Sequence, residues 1–171
     1  MATSQMEEGV KRLILLPIDD SLNCEYAWKW YVRYEMQKGD SVIFMHVLKP
    51  KITASAERRG SLTLDVPISF DKDVAEAMDA CATTAKNLAK EFTDRANEVG
   101  LPNKVLLESG SSAGAVIVKA AHDHAVQLVV MGSRGVGSVQ RTFLGSVSDY
   151  VVHHIGVPVV VVPPAESKSR H

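Results

Sequence analysis

The amino-acid sequence predicts an α/β protein: a single doubly wound, five-stranded parallel sheet with helices on both faces. Three observations predict it. Short apolar runs of strand length alternate along the chain with longer segments of helical periodicity. The runs are apolar throughout rather than at every second position, as strands covered on both faces must be. The chain has 171 residues, 46% hydrophobic and 23% charged, which suits one compact domain and is short for two.

Residues 11–18 (KRLILLPI) form the first run, which stops at Asp19-Asp20-Ser21, residues that turn the chain and cap helices. No Gly or Pro interrupts residues 21–38. Ala27, Tyr31 and Tyr34 share one helical face there, and Gly39 stands where a left-handed residue ends a helix, so a first helix over 21–38 is expected. Residues 41–48 (SVIFMHVL) read as a second buried strand, and strand, helix, strand in succession implies a parallel pair with a right-handed crossover. Periodicity is lost over residues 49–70, predicting a long surface loop that is either a flap over a site or a tolerated insertion. Val74, Met78, Cys81, Ala85, Leu88, Phe92 and Val99 then recur at spacings of three, four or seven. Residues 71–99 are therefore the longest predicted helix, its apolar stripe in the core and its end at Gly100 and Pro102. A third strand over 103–108, a helix capped by Ser111 or Ser112 and reaching about His124, and a fourth strand over 126–131 continue the alternation. Phe143, Val147, Val151 and His154 or Ile155 mark a last helix stopped by Gly156, and residues 157–162 (VPVVVV) a fifth strand. Residues 1–10 and 164–171 are expected to be flexible ends around a domain spanning 11–163.

Nineteen Lys and Arg against twenty Asp and Glu leave a formal charge of −1, so no global field draws the chain to nucleic acid or to a membrane surface. The first residues lack a secretory pattern and no apolar run reaches membrane-spanning length, which predicts a cytoplasmic protein. Cys24 and Cys81 form no CxxC and stand in different predicted helices, so packed free thiols are expected rather than a disulfide or zinc site. His122 with His124, and His153 with His154, have spacings that part their side chains on a helix, unsuited to shared metal ligation. His154-Ile155-Gly156 closes a helix and is read as its C-cap.

The segment from Gly132 to Ser148 carries the most chemistry. Its glycines allow backbone amides to approach a phosphate, the following helix offers unpaired N–H groups and the positive end of its dipole, and Ser146 and Ser148 add hydroxyls. Arg134 and Arg141 bring positive charge to the same loop. Glycines after a strand also serve as plain turns. A Walker A loop requires a Gly-Lys pair, which the chain lacks, and Gln140 stands where a dinucleotide fingerprint places its third glycine.

What the segment does match is Gly-x-x-Gly, nine residues, Gly-Ser, met by Gly132, Gly135 and Gly145-Ser146. That pattern resembles the nucleotide-binding signature of the universal stress protein family, in its ATP-binding branch. Residues 13–21, His46-Val47, VVMGSRG and GSVSDYVVHHIGVPVVVV extend the resemblance over nearly the whole chain. Two positions depart: Asp20, where the family commonly has Gly, and Gln127, where it commonly has Asp. The resemblance implies a Rossmann-like, adenine nucleotide alpha hydrolase-like fold with sheet order 3-2-1-4-5. It implies Asp19 on a ribose, the backbone near Pro17, Ile18 and Val47 around an adenine, and Met131 packed near the base. Gly132, Arg134, Gly135, Gly145, Ser146, Val147 and Ser148 would hold the phosphates of ATP, or of AMP or ADP, with Mg²⁺ or Mn²⁺ bridging them. It also implies a homodimer that pairs residues 157–162 with their two-fold mate, since an edge of five valines and one proline has no charge to protect it. No catalytic base is identified, so a regulatory module with slow or no hydrolysis is expected. An ATP-consuming enzyme of the same fold, or a slow ATPase, would be the alternative, but enzymes of that kind resemble one another in an SGG-type loop where this chain reads Asp19-Asp20-Ser21-Leu22. A nucleotide-free dimeric adaptor is the other, and such members typically lack the glycine signature kept here.

Overall fold

The computed structural model describes residues 12–48, 69–133 and 144–163. The expectations for the two ends, for residues 49–68 and for Arg134, Gly135, Arg141 and Phe143 fall outside the described residues, as does the side chain of Val74. In chain order the elements are β1 Arg12–Pro17, α1 Leu22–Trp30 continued by a π-helical turn Tyr31–Glu35, β2 Asp40–Leu48, α2 Ser69–Glu98, β3 Asn103–Ser109, α3 Ala113–Asp123, β4 Leu128–Gly132, α4 Ser146–His154 and β5 Val159–Val162. The five strands make one sheet in the order β3-β2-β1-β4-β5, every pair parallel.

Alternate residues of the central strands pack on opposite faces, which is why the strand runs are apolar throughout. Ile14, Leu16, Val42, Phe44 and Val130 face Trp28 and Tyr31, from α1 and its π turn, and Phe92 of α2. Leu15, Ile43, Met45, Val129 and Met131 face Ile117 and Ala121 of α3 and Val151 of α4. Trp28, Phe44 and Phe92 form an aromatic trio, with Phe44 centred 5.5 Å from each of the other two rings, the Trp28 contact edge-on. Both edge strands are less covered. β3 is half-buried at best, so the doubly buried pattern belongs to β1, β2 and β4, not to all five strands.

Three expectations need correction. The first helix does not reach Lys38: it widens into the π turn, where Met36 N–H donates to Tyr31 O at 2.9 Å, and the chain then turns toward β2. The wider turn carries Tyr34 off the face of Ala27 and Tyr31, leaving it 65% exposed while those two are fully buried. Gly39 does have a positive φ of 93°, but in the turn before β2 rather than at the helix end. In α2 the core stripe is Ala85, Ala89, Phe92 and Ala96, while Met78, a turn and more before Ala85, is exposed, and Val99 is exposed in the turn just past the helix end. The last strand begins at Val159, after Pro158, whose carbonyl accepts Val129 N–H at 3.0 Å.

The π turn is held by the buried Asp40 at the start of β2. Arg12 donates to both its oxygens (Nε to Oδ1 at 3.0 Å, Nη2 to Oδ2 at 2.9 Å), and the Tyr31 hydroxyl at 2.8 Å and Gln37 N–H at 3.0 Å also donate to Oδ2. Arg12 reaches Glu35 as well, through the carboxylate at 2.7 Å and the main-chain carbonyl at 2.9 Å. One carboxylate thus ties β1, the turn and β2. Burial alone would raise its pKa, but the donors from Arg12, Gln37 and Tyr31 outweigh that and hold it below the ordinary 3.8. A depressed native pKa means stabilisation present above the unfolded value and lost as pH falls through the native one. Asp40→Asn should therefore cost roughly 1.5–3 kcal/mol at pH 7 in urea unfolding. The gap between variant and native protein should narrow as the pH falls below 3.8.

Candidate functional site

The chain order reverses between β1 and β4, and in open α/β sheets the strand carboxyl ends at that point splay to leave a crevice. A cleft of about 560 Å³ lies there. Its floor is Pro17, Ile18 and Asp19 after β1, Met45, His46 and Val47 of β2, and Met131 and Gly132 of β4. Val147 and Ser148 of α4, with Ala113 and Ile117 of α3, make one wall. The start of α1 (Asn23, Cys24) and the α2 residues Ala80, Cys81, Thr84 and Leu88 make the other.

The turn after β1 is built from its own polar groups. Ser21 caps α1, its Oγ accepting Cys24 N–H at 3.2 Å. The same hydroxyl donates to Asp19 Oδ1, which also accepts Ser21 N–H at 3.0 Å. Ser21 therefore takes the cap, and Asp19 is fixed on the cleft floor by its bond to it. Asp20 needs no left-handed backbone, because among the described non-glycine residues the positive φ belongs to Ala125. Ile18 N–H donates to Met45 O at 2.7 Å, extending the β1–β2 ladder one step past β1, and His46 Nδ1 meets Ile18 O at 2.8 Å.

Gly132 is required by packing. A Cβ built on it would stand 2.5 Å from the Asn23 carbonyl oxygen and 2.9 Å from Asn23 Cβ, so the start of α1 rests directly on β4. Gly145 differs: with φ −79° and ψ 163° it is the N-cap of α4 in extended backbone that any residue adopts. Its carbonyl accepts Asp149 N–H at 2.8 Å and the buried Ser148 hydroxyl at 3.0 Å. Gly145 and Ser146 lead into the cleft-lining Val147 and Ser148 without lining it themselves. The structure thus brings Pro17, Ile18, Asp19, Val47, Met131, Gly132, Val147 and Ser148 to one cleft, with Gly145 and Ser146 beside them.

The α2 wall and His46 are the parts that sequence reasoning did not assign. The whole stripe of residues 71–99 reads as core by spacing, yet Thr84, and Cys81 as a half-buried thiol, are the signals that part of it faces a cavity. Cys24 is buried, and burial pushes its thiol pKa up to about 12. Among the described residues no group of three or more His, Cys, Asp or Glu is placed to hold a metal ion. Likewise among them, no helix is long and apolar enough to cross a membrane. The two thiols give a chemical test of the cleft. Iodoacetamide at pH 8 should alkylate Cys81 readily and leave Cys24 untouched in the folded protein, as peptide mass mapping would show.

The sheet order and the cleft at its switch point define an α/β protein of the Rossmann-like, nucleotide-hydrolase-like class. Residues 11–163 match the universal stress protein family, and the chain belongs to that family. It is 31% identical to the universal stress protein PHOS34 of Arabidopsis thaliana over 94% of its own length, while spanning 65% of that protein. It is 29% identical to the universal stress protein MJ0577 of Methanocaldococcus jannaschii, covering 87% of this chain and 93% of that one. The solved structure of MJ0577 superposes with a TM-score of 0.73 at 26% identity, covering 92% of this chain and 99% of that one. The universal stress protein At3g01520 of Arabidopsis thaliana, solved with AMP bound, shares the fold at a TM-score of 0.61 and 15% identity, over 93% and 96% of the two chains.

Proposed function

We propose that the cleft binds ATP, or AMP or ADP, and that the chain is a nucleotide-dependent regulatory module of the cytoplasm rather than a fast enzyme. The observation that carries this reading is convergence. Residues from three strand ends and the start of α4, widely separated in sequence, meet in one cleft of about 560 Å³, a size suited to a small-molecule ligand. Family membership and a neighbour of the same fold that holds AMP support it. In this reading the apolar ends of β1, β2 and β4 take the base, and Asp19 takes the ribose. The amides at the start of α4, with Arg134 and Gly135, take the phosphates. Mg²⁺ or Mn²⁺ would be held through the phosphates, since the described residues offer no clustered ligands of their own.

Hydrolysis would need a water positioned by a base at the γ-phosphate. Asp19 is assigned to the ribose, and Asp149 lies in the first turn of α4 with its side chain largely exposed, so this reading gives neither the role of that base and expects slow or no turnover. The nucleotide reading is tested by titrating ATP calorimetrically into native protein and Asp19→Ala. Loss of a charge-assisted bond to ribose should weaken ATP by roughly 1.5–3 kcal/mol, and 2′,3′-dideoxy-ATP should not distinguish the variant from native. Equal binding of ATP and its dideoxy analogue by native protein would overturn the ribose assignment.

The β5 edge supports a further part of the proposal, a homodimer. Its valines are half-buried apart from Val162, and the strand itself carries no charged residue. Antiparallel pairing with a two-fold mate would close the ladder. Val162 is core and Val160 is partly buried against the same cluster, so Val160→Lys is the milder of the two substitutions; it should convert a dimer to a monomer in light scattering while native protein stays dimeric, with thermal melting checking that the variant is folded.

A further inference from the structure

We infer that Asp20 makes the cleft selective for 5′-nucleotides whose ribose hydroxyls are free, by repelling a phosphate carried on the 2′ or 3′ oxygen. The inference rests on the nucleotide reading and adds to it a selectivity that comes from charge.

Two consecutive carboxylates follow β1, and both residues line the cleft. They differ in engagement. Asp19 is half-buried, its Oδ1 accepting from the Ser21 N–H and hydroxyl. Asp20 is exposed, and among the described residues its side chain has no hydrogen-bond or ion-pair partner. The described lining of the cleft includes no Lys or Arg that could neutralise the pair. Arg95, the cation of α2 that reaches α1, is committed to Glu25 and Glu91. His46 is tied to Ile18 O through Nδ1, and the Cys24 thiol, with its pKa pushed up to about 12 by burial, stays neutral. This end of the cleft therefore carries uncompensated negative charge between apolar walls that include Ile18, Met45, Leu88 and Met131.

A charge acts through space, so the argument needs Asp20 at the cleft and no particular hydrogen bond from it. Charges a few ångströms apart shift an equilibrium several-fold even in water, and low-dielectric walls strengthen the effect. A ribose bonded to Asp19 keeps its 2′ and 3′ oxygens beside that carboxylate, so a phosphate on either would enter next to two negative residues. Asp19 would lose a hydroxyl donor as well; Asp20 contributes repulsion alone. The 5′-phosphates, assigned to the amides at the start of α4, point away from this corner and escape the repulsion. An acidic residue at the ribose favours a free 2′-hydroxyl over a 2′-phosphate in dinucleotide sites for the same physical reason.

AMP, adenosine 2′,5′-bisphosphate and adenosine 3′,5′-bisphosphate share base, sugar and 5′-phosphate and are the probes, compared by displacement of labelled ATP at pH 8, where carboxylates and phosphates are ionised. Native protein at about 20 mM ionic strength should bind AMP roughly tenfold or more tightly than either bisphosphate, and the preference should shrink about threefold or more at about 0.5 M. Asp20→Asn keeps the size of the side chain and removes its charge. It should lower the preference about threefold at low salt, through tighter bisphosphates, with AMP within about twofold of native. Thermal melting checks the fold, and Asp20→Ser, also neutral, repeats the test in a second variant. Equal binding of AMP and the bisphosphates by native protein, a preference that salt leaves unchanged, or a folded neutral variant that keeps the whole preference overturns the inference while leaving nucleotide binding intact. Failure of native protein to take up labelled ATP overturns the nucleotide reading, and this inference with it.

Discussion

The cleft depends on the close approach of α1 to β4. Asn23 lies so near Gly132 that one added carbon would collide with its main chain. That contact sets where α1 starts, and the start of α1 sets where Asp19 stands, because Ser21 both caps the helix and holds the Asp19 carboxylate. A bulkier residue at 132 would push α1 outward and carry Asp19 and the thiol of Cys24 with it. Gly132 therefore acts on the site through geometry as much as through any direct approach to a phosphate. Substitution at Gly145, whose backbone is ordinary, interrogates the α4 end with less damage to the sheet.

The far end of the β1–β2 pair is held by a different device. Asp40 gathers donors from Arg12, Tyr31 and Gln37 beneath the sheet, opposite the cleft in strand direction, and fixes the register in which Arg12 faces Asp40 and Pro17 faces Met45. The same register presents Ile18 to Met45 and His46 at the other end. A buried carboxylate and a cleft histidine are thus joined by six residues of parallel ladder. Cores on both faces, with the Trp28, Phe44 and Phe92 trio on one, keep that ladder rigid.

Much of this was legible in the sequence, for physical reasons that differ from element to element. Central strands buried on both faces leave continuous apolar runs, and glycines at helix ends leave punctuation: Gly100 and Gly156 both carry positive φ where the helices were expected to stop. The cap by Ser112 and the turn after β1 follow from side-chain chemistry that is local in sequence. The π turn was not legible, because it arises from Tyr31 reaching Asp40, a contact made only once β2 is in place. The cavity wall of α2 was hidden for a related reason. A periodic stripe says which residues share a face, but not how far that face extends beyond the sheet, and here Ala85 is core while Met78 is exposed. The site residues around Asp19, Met131 and Val147 came from family resemblance; the reason for Gly132 came only from its contact with Asn23.

The central claim is that this cleft is a nucleotide site. The most direct measurement is to denature freshly purified protein, separate the released small molecules and determine their masses and amounts per chain, alongside equilibrium dialysis of the stripped protein with labelled ATP. The account predicts an adenine nucleotide among the released molecules, or saturable uptake of ATP by the stripped protein at one site per chain. Release of no nucleotide together with no ATP uptake at millimolar concentration would contradict it, and the cleft would then belong to a ligand of different chemistry.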